Sequence, residues 1–336
     1  MTNPRPAATE RLPGWTEWSI SVLNGMVGDY LRHRRNGLAI EMACYHQNRP
    51  LPLTAESLRR VYPNLTAKLC VLLHGLGCNE GVWTFRNTAP GDPDISYGTL
   101  LQRELGYTPL YLRYNTGLPV ADNGNALAML LDDLLACYPA SVDDIVLIGH
   151  SMGGLVLRSA CHQGVRQACP WVDRVKRVFY LGTPHDGAAL EKLGHAAVTA
   201  LQAVPNPVTR LIGNILDRRS QGVKDLRAGN WLTEDGLDDD LEIGQHDYRR
   251  AVPWLEHARH YLLVGTLTED PQHALTQLLG DALVRLPRGA YGPLLPAADS
   301  DAAPSPHIKL FPKIHHMRLA HDAGVYEQIR QWCGSE

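Results

Sequence analysis

The chain has 336 residues, 44% of them hydrophobic and 20% charged, with 32 Lys and Arg against 35 Asp and Glu. These ordinary globular values exclude a disordered or collagen-like chain, and a net charge of −3 without a long basic block leaves no electrostatic footprint for nucleic acid. Seven cysteines, an odd number without CxxC spacing, read as reduced thiols; with no apolar leader in residues 1–14 and no run of about 18 apolar residues, the expectation is a cytoplasmic protein.

Residues 15–62 carry Trp15, Trp18, Val22, Leu23, Met26, Val27, Tyr30 and Leu31 at spacings of three and four. That periodicity predicts an amphipathic helix packed on the main domain, with a membrane-surface helix as the alternative. Residues 1–67 are expected to form a partly helical extension, and residues 68–336 a single α/β domain. Within it the pattern predicts strands at 69–73, 109–114, 144–148, 175–181, 261–266 and 308–311. Helices are expected at 97–105, 125–138, 152–163 and 325–333. Short, wholly apolar strands alternating with helices imply a mostly parallel sheet covered on both faces. Residues 187–258, rich in Ala, Val and Leu with interspersed prolines, are expected to be a helical cap inserted into that domain. Residues 287–306 read as a Pro/Ala/Asp loop.

The sharpest local feature is Ile145-Val-Leu-Ile-Gly149-His150-Ser151-Met152-Gly153, a strand running into G-x-S-x-G and then a helix. A nucleophile elbow needs all three parts: the strand, small residues that permit a strained turn, and a helix whose N-terminal amides face the serine. Ser151 is therefore the candidate nucleophile, and the Met152 N–H a candidate oxyanion donor. A second donor is expected from the loop after an earlier strand, where Val71-Leu-Leu-His74-Gly75-Leu76-Gly77 offers the Leu76 N–H.

Together with Tyr111-Leu-Arg-Tyr-Asn-Thr-Gly117 and Leu181-Gly-Thr-Pro-His-Asp-Gly187, these motifs resemble the α/β-hydrolases, in particular the lipase branch related to GPI inositol-deacylases and bacterial triacylglycerol lipases. The resemblance is strong over 68–190 and looser over 259–333. It implies an α/β-hydrolase fold and a triad in the chain order Ser, Asp or Glu, His. Relatives present the acid as Gly-Asp-x-Leu-Val, which Gly280-Asp281-Ala-Leu-Val284 matches; Asp270 and Glu269 are the alternatives. They place the base in an Asn-His-x-x-Leu segment before a helix bearing Val-Tyr and Trp, which favours His316, with His315 as the rival and His321 as a surface or capping residue.

The expected activity is hydrolysis of a small-molecule or lipid ester through an acyl-enzyme, without cofactor or metal. No H-E-x-x-H, Cys/His or phosphate-loop spacing is present. An acyltransferase would use the same triad, and a silent fold retained for binding is the alternative from another class. Residues 15–31 are the candidate segment for a weak membrane-surface association.

Overall fold

A computed structural model describes residues 14–85, 95–185, 252–266 and 306–335. Their elements, in chain order, are α1 (Gly14–His33), β1 (Ala43–His46), β2 (Arg49–Pro50), α2 (Ala55–Val61), β3 (Lys68–Leu73), α3 (Tyr97–Leu105), β4 (Thr108–Arg113) and α4 (Val120–Cys137). β5 (Asp144–His150), α5 (Met152–Arg166), β6 (Val175–Leu181), β7 (Arg259–Thr266), β8 (His307–Pro312) and α6 (Ala323–Gly334) follow.

The strands form one sheet of eight in the order β2-β1-β4-β3-β5-β6-β7-β8. β1 runs antiparallel to both β2 and β4, and every pair from β4 to β8 is parallel. Alternating side chains divide the core. Leu69, Val71, Leu73, Ile145 and Leu147 pack with Leu127, Leu131 and Leu155 of α4 and α5 on one face. Cys70, Leu72, Val146 and Ile148 meet Tyr97, Leu101, Val325 and Ile329 of α3 and α6 on the other. Burial on both faces is why these strands read as unbroken apolar runs. The two faces also need different helix contacts. On one, Gly124 lets α4 close on α5, since a Cβ there would meet the Cβ of Ser159 at 2.5 Å.

The expected strands and helices agree with the structure, apart from ends displaced by a few residues; α4 begins five residues before the predicted start, at Val120 after Pro119. The hairpin β1–β2 was not expected. It pairs Ala43 with Arg113 and Tyr45 with Tyr111 at the edge of the sheet, so residues before 68 supply two of its strands. Four residues with the burial pattern half-buried, buried, half-buried, half-buried carry too short an alternation to be read as a strand.

Sequence order around β3 fixes where a site can form. β4 leaves β3 on one side and β5 returns on its other side. The connections therefore diverge at the carboxyl end of β3 and open a crevice there, where open α/β sheets bind ligands.

Candidate active site

β5 ends at His150 and α5 starts at Met152, which leaves Ser151 alone in the turn with φ 55° and ψ −125°. A non-glycine residue is strained in this region, and the surroundings hold it there. The Ser151 N–H donates to the Leu181 carbonyl on β6 at 2.8 Å, and its carbonyl accepts the Gly154 N–H at 3.0 Å. The glycines of the motif are steric necessities. A Cβ at Gly149 would stand 2.6 Å from the Gly154 backbone, and one at Gly153 would strike the carbonyl oxygens of Leu73 and His74. Ser151 is only 2% exposed, and its hydroxyl has no hydrogen-bond partner among the described residues. Met152 is the first residue of α5, where N–H groups lack intrahelical acceptors and the helix dipole favours negative charge.

The loop after β3 lies against this turn. A Cβ on Gly75 would come within 2.9 Å of the Ser151 Cβ, so Gly75 permits the approach and Leu76 follows immediately. His74 anchors the loop. Its ring stacks on Tyr114 at 4.7 Å, and the Tyr114 hydroxyl donates to the His74 carbonyl at 2.9 Å. Burial lowers the His74 pKa to about 4, so its ring is neutral and its Nδ1, 2.9 Å from the Gly75 carbonyl, is assigned the proton. The Cys78 N–H closes the loop on the same Gly75 carbonyl at 3.2 Å.

His316 opens a short 3₁₀ turn (His316–Ala320) just beyond β8. It is 2% exposed, with its ring 4.9 Å from the His150 ring and its carbonyl 3.0 Å from His150 Nε2. His315 faces solvent, and His321 places Nδ1 3.2 Å from the Val82 carbonyl. Tyr97 of α3 secures the turn, its hydroxyl lying 2.8 Å from the Leu319 carbonyl and accepting the Asp322 N–H at 2.9 Å. The structure thus brings Ser151, the Leu76 loop, Met152 and His316 to one end of the sheet. Asp281, Asp270 and Glu269 lie outside the described residues, as do residues 187–251 of the expected cap. Among the described residues, no group of three His, Cys, Asp or Glu side chains is placed to hold a metal ion.

A second polar cluster behind the elbow escaped the sequence reading. Arg158, two turns into α5, is buried with Nη1 3.2 Å from His185 Nδ1, Nη2 on the Val252 carbonyl and its guanidinium 4.0 Å over the Trp254 ring. Burial lowers the Arg158 pKa to about 10, which leaves it charged at neutral pH. The same burial, reinforced by Arg158, drives His185 well below its usual value. The arginine seven residues after Ser151 was the available signal, but its partners are 27 and about 95 residues further along.

Residues 114–209, which contain the elbow, match the family model described as a PGAP1-like alpha/beta domain. That match joins a mostly parallel eight-stranded sheet and a strained serine between strand and helix. The chain has an α/β-hydrolase fold. No curated protein matches this hydrolase-fold chain. Similar solved structures include an esterase of Pyrococcus furiosus (14% identity, TM-score 0.45, covering 81% of this chain and 81% of that one). A lipase-esterase related protein from Clostridium acetobutylicum shows 14% identity and a TM-score of 0.40 over 79% of this chain and 94% of its own length. The naproxen esterase of Bacillus subtilis shows 16% identity and a TM-score of 0.35 over 79% and 83%.

Proposed function

We propose that this α/β-hydrolase cleaves carboxylic esters through an acyl-enzyme on Ser151. The observation that carries the reading is the strained Ser151, set at a helix N-terminus with the Gly75–Leu76 loop in contact with it. A lone structural serine in a βα turn has no need of such a conformation, which the protein maintains against a cost of about 1–3 kcal/mol.

In the proposed reaction, Ser151 Oγ attacks the ester carbonyl while His316 takes its proton, and Asp281 fixes the imidazole tautomer and stabilises the imidazolium. The Leu76 and Met152 N–H groups receive the charge of the tetrahedral oxygen, each worth about 3 kcal/mol. His316 then protonates the leaving alcohol, and water repeats the sequence on the acyl group. The buried position of His316 beside His150 favours it over the exposed His315 as the base.

The substrate is a small-molecule or lipid ester, reached in the cytoplasm, with weak membrane-surface association through α1 if the ester is presented in a bilayer. No helix among the described residues is long and apolar enough to cross a membrane. The test is labelling by a fluorescent fluorophosphonate together with turnover of p-nitrophenyl esters of increasing chain length. Ser151→Ala is expected to abolish both. His316→Ala and Asp281→Asn are expected to lower turnover by at least about a thousandfold. Full activity in His316→Ala reassigns the base to His315, and a wild-type chain that neither labels nor turns over overturns the assignment.

A further inference from the structure

Helix α1 lies against the loops of the candidate site rather than beside the sheet. A Cβ on Gly25 would stand 3.1 Å from the Cα and N of Gly77 and from Thr116 Oγ1. A Cβ on Gly28 would overlap the Asn115 amide, whose Nδ2 donates to the Gly28 carbonyl at 2.9 Å and whose Oδ1 accepts the Gly117 N–H at 3.0 Å. Gly77, in the left-handed region at φ 67°, donates its N–H to Thr116 Oγ1 at 3.1 Å. A backbone surface of α1 is thus seated on Gly77, two residues beyond the glycine that touches Ser151.

A buried ion cluster joins the same parts a second time. Arg113, at the end of β4, donates to both carboxylate oxygens of Glu80 at 2.7 and 2.6 Å and also pairs with Glu17 of α1. Its side chain is 4% exposed and lies 4.1 Å from the centre of the Tyr45 ring. Glu80 begins the 3₁₀ turn Glu80–Trp83 that continues the 74–78 loop. An amphipathic helix needing only to bury Val22, Met26, Val27 and Leu31 requires neither one glycine against Gly77 and another against Asn115 nor a desolvated carboxylate on that arginine.

We propose that α1 is a positioning element of the active site: seated through Gly25 and Gly28 and tied through Glu17 and Arg113, it holds residues 74–78 so that the Leu76 N–H keeps a fixed distance from Ser151. This rests on the reading of Leu76 as an oxyanion donor. Gly25 is the residue where the role is most separable from stability, because alanine is the stronger helix former and its methyl presses directly on Gly77. Displacement of an oxyanion donor by a few tenths of an ångström weakens the transition state while leaving ground-state binding almost unchanged.

The experiment compares full-length wild type, Gly25→Ala and Leu31→Ala, the last removing apolar volume from the same buried stripe in the final turn of α1. Ester turnover and amide hydrogen exchange of the 74–79 segment are measured on each. Gly25→Ala is expected to lower kcat about tenfold at a KM within twofold of wild type, and to speed exchange in 74–79. Leu31→Ala is expected to lower Tm with kcat within twofold and 74–79 exchange unchanged. Unaltered exchange in Gly25→Ala overturns the proposal, and so does altered exchange without a change in kcat. A kcat that merely follows Tm across both variants does the same. If the wild type turns over no ester, the functional reading falls, and exchange alone decides whether α1 holds the loop. Should Gly25→Ala fail to fold, Glu17→Ala with partial recovery in Glu17→Gln reads the same coupling from the other contact.

Discussion

His150 Nε2 stands 3.0 Å from the main-chain carbonyl of His316, so the residue before the candidate nucleophile holds the loop that carries the candidate base. Burial, with His316 nearby as the next cause, drives the His150 pKa well below its usual value. The neutral ring therefore donates from Nε2, and its Nδ1 has no hydrogen-bond partner among the described residues. His150→Phe keeps the ring volume and removes the donor. The expected result is a kcat about tenfold lower and a stability loss of about 1–3 kcal/mol from the abandoned carbonyl. Partial recovery of kcat in His150→Gln, measured beside it, distinguishes a lost hydrogen bond from disturbed packing.

Backbone strain at Ser151 makes a prediction that separates chemistry from stability. Glycine occupies φ 55° without steric cost, whereas alanine inherits the strain. Ser151→Gly and Ser151→Ala are both expected to be inactive, but the glycine variant should be more stable by about 1–2 kcal/mol, after allowing for the greater entropy of its unfolded chain. Urea unfolding of the two variants checks this. An alanine variant as stable as the glycine one would mean that the turn is not strained.

Gly153 has no such freedom to change. Its Cβ would strike two carbonyl oxygens at the end of β3, and neither belongs to a flexible side chain. Gly153→Ala is expected to cost more than about 3 kcal/mol, because β3 and α5 must separate. Loss of soluble protein or a sharply lowered Tm is the outcome; a variant with wild-type Tm contradicts the packing described here.

The buried histidines predict an acid-sensitive fold. Burial lowers His74 to about 4 and His260 to about 3, and drives His150 and His185 well below their usual values. In the unfolded chain each takes up a proton near about 6.5, so from there down to about 4 the unfolded state binds more protons. Stability is therefore fully present above about pH 6.5 and falls as the pH drops through this window, by at most about 1.4 kcal/mol per unit for each group. Urea midpoints are expected to coincide at pH 7 and 8 and to decline steeply between 6 and 4.5. A midpoint unchanged down to pH 4.5 would show that these rings are charged in the native state.

The parts of the site that were legible in the sequence are those built from contiguous residues. Gly149, Ser151 and Gly153 sit in one turn whose geometry depends on the strand before and the helix after, and both have periodicities visible over a few residues. His74-Gly75 after β3 was readable for the same reason. The preference for His316 over His315 came from the family resemblance alone, because adjacent residues share every local periodicity; the packing of the 3₁₀ turn under Tyr97 and beside His150 turns one inward and the other to solvent. Arg158 likewise reads as an ordinary helix residue until His185 and Trp254 close around it.

By itself the sequence determined the alternation of strands and helices, the parallel two-faced sheet and the strained serine turn, since these follow from hydrophobic period and backbone sterics within about ten residues. Only the tertiary structure decided that β1 joins the sheet against β4, that His150 holds the His316 loop, and that α1 rests on Gly77 and shares Arg113 with Glu80. Those contacts link segments 33 to 166 residues apart. Their formation depends on which surfaces meet once the sheet has closed its core, and a pattern within one segment carries no record of the segment it will meet.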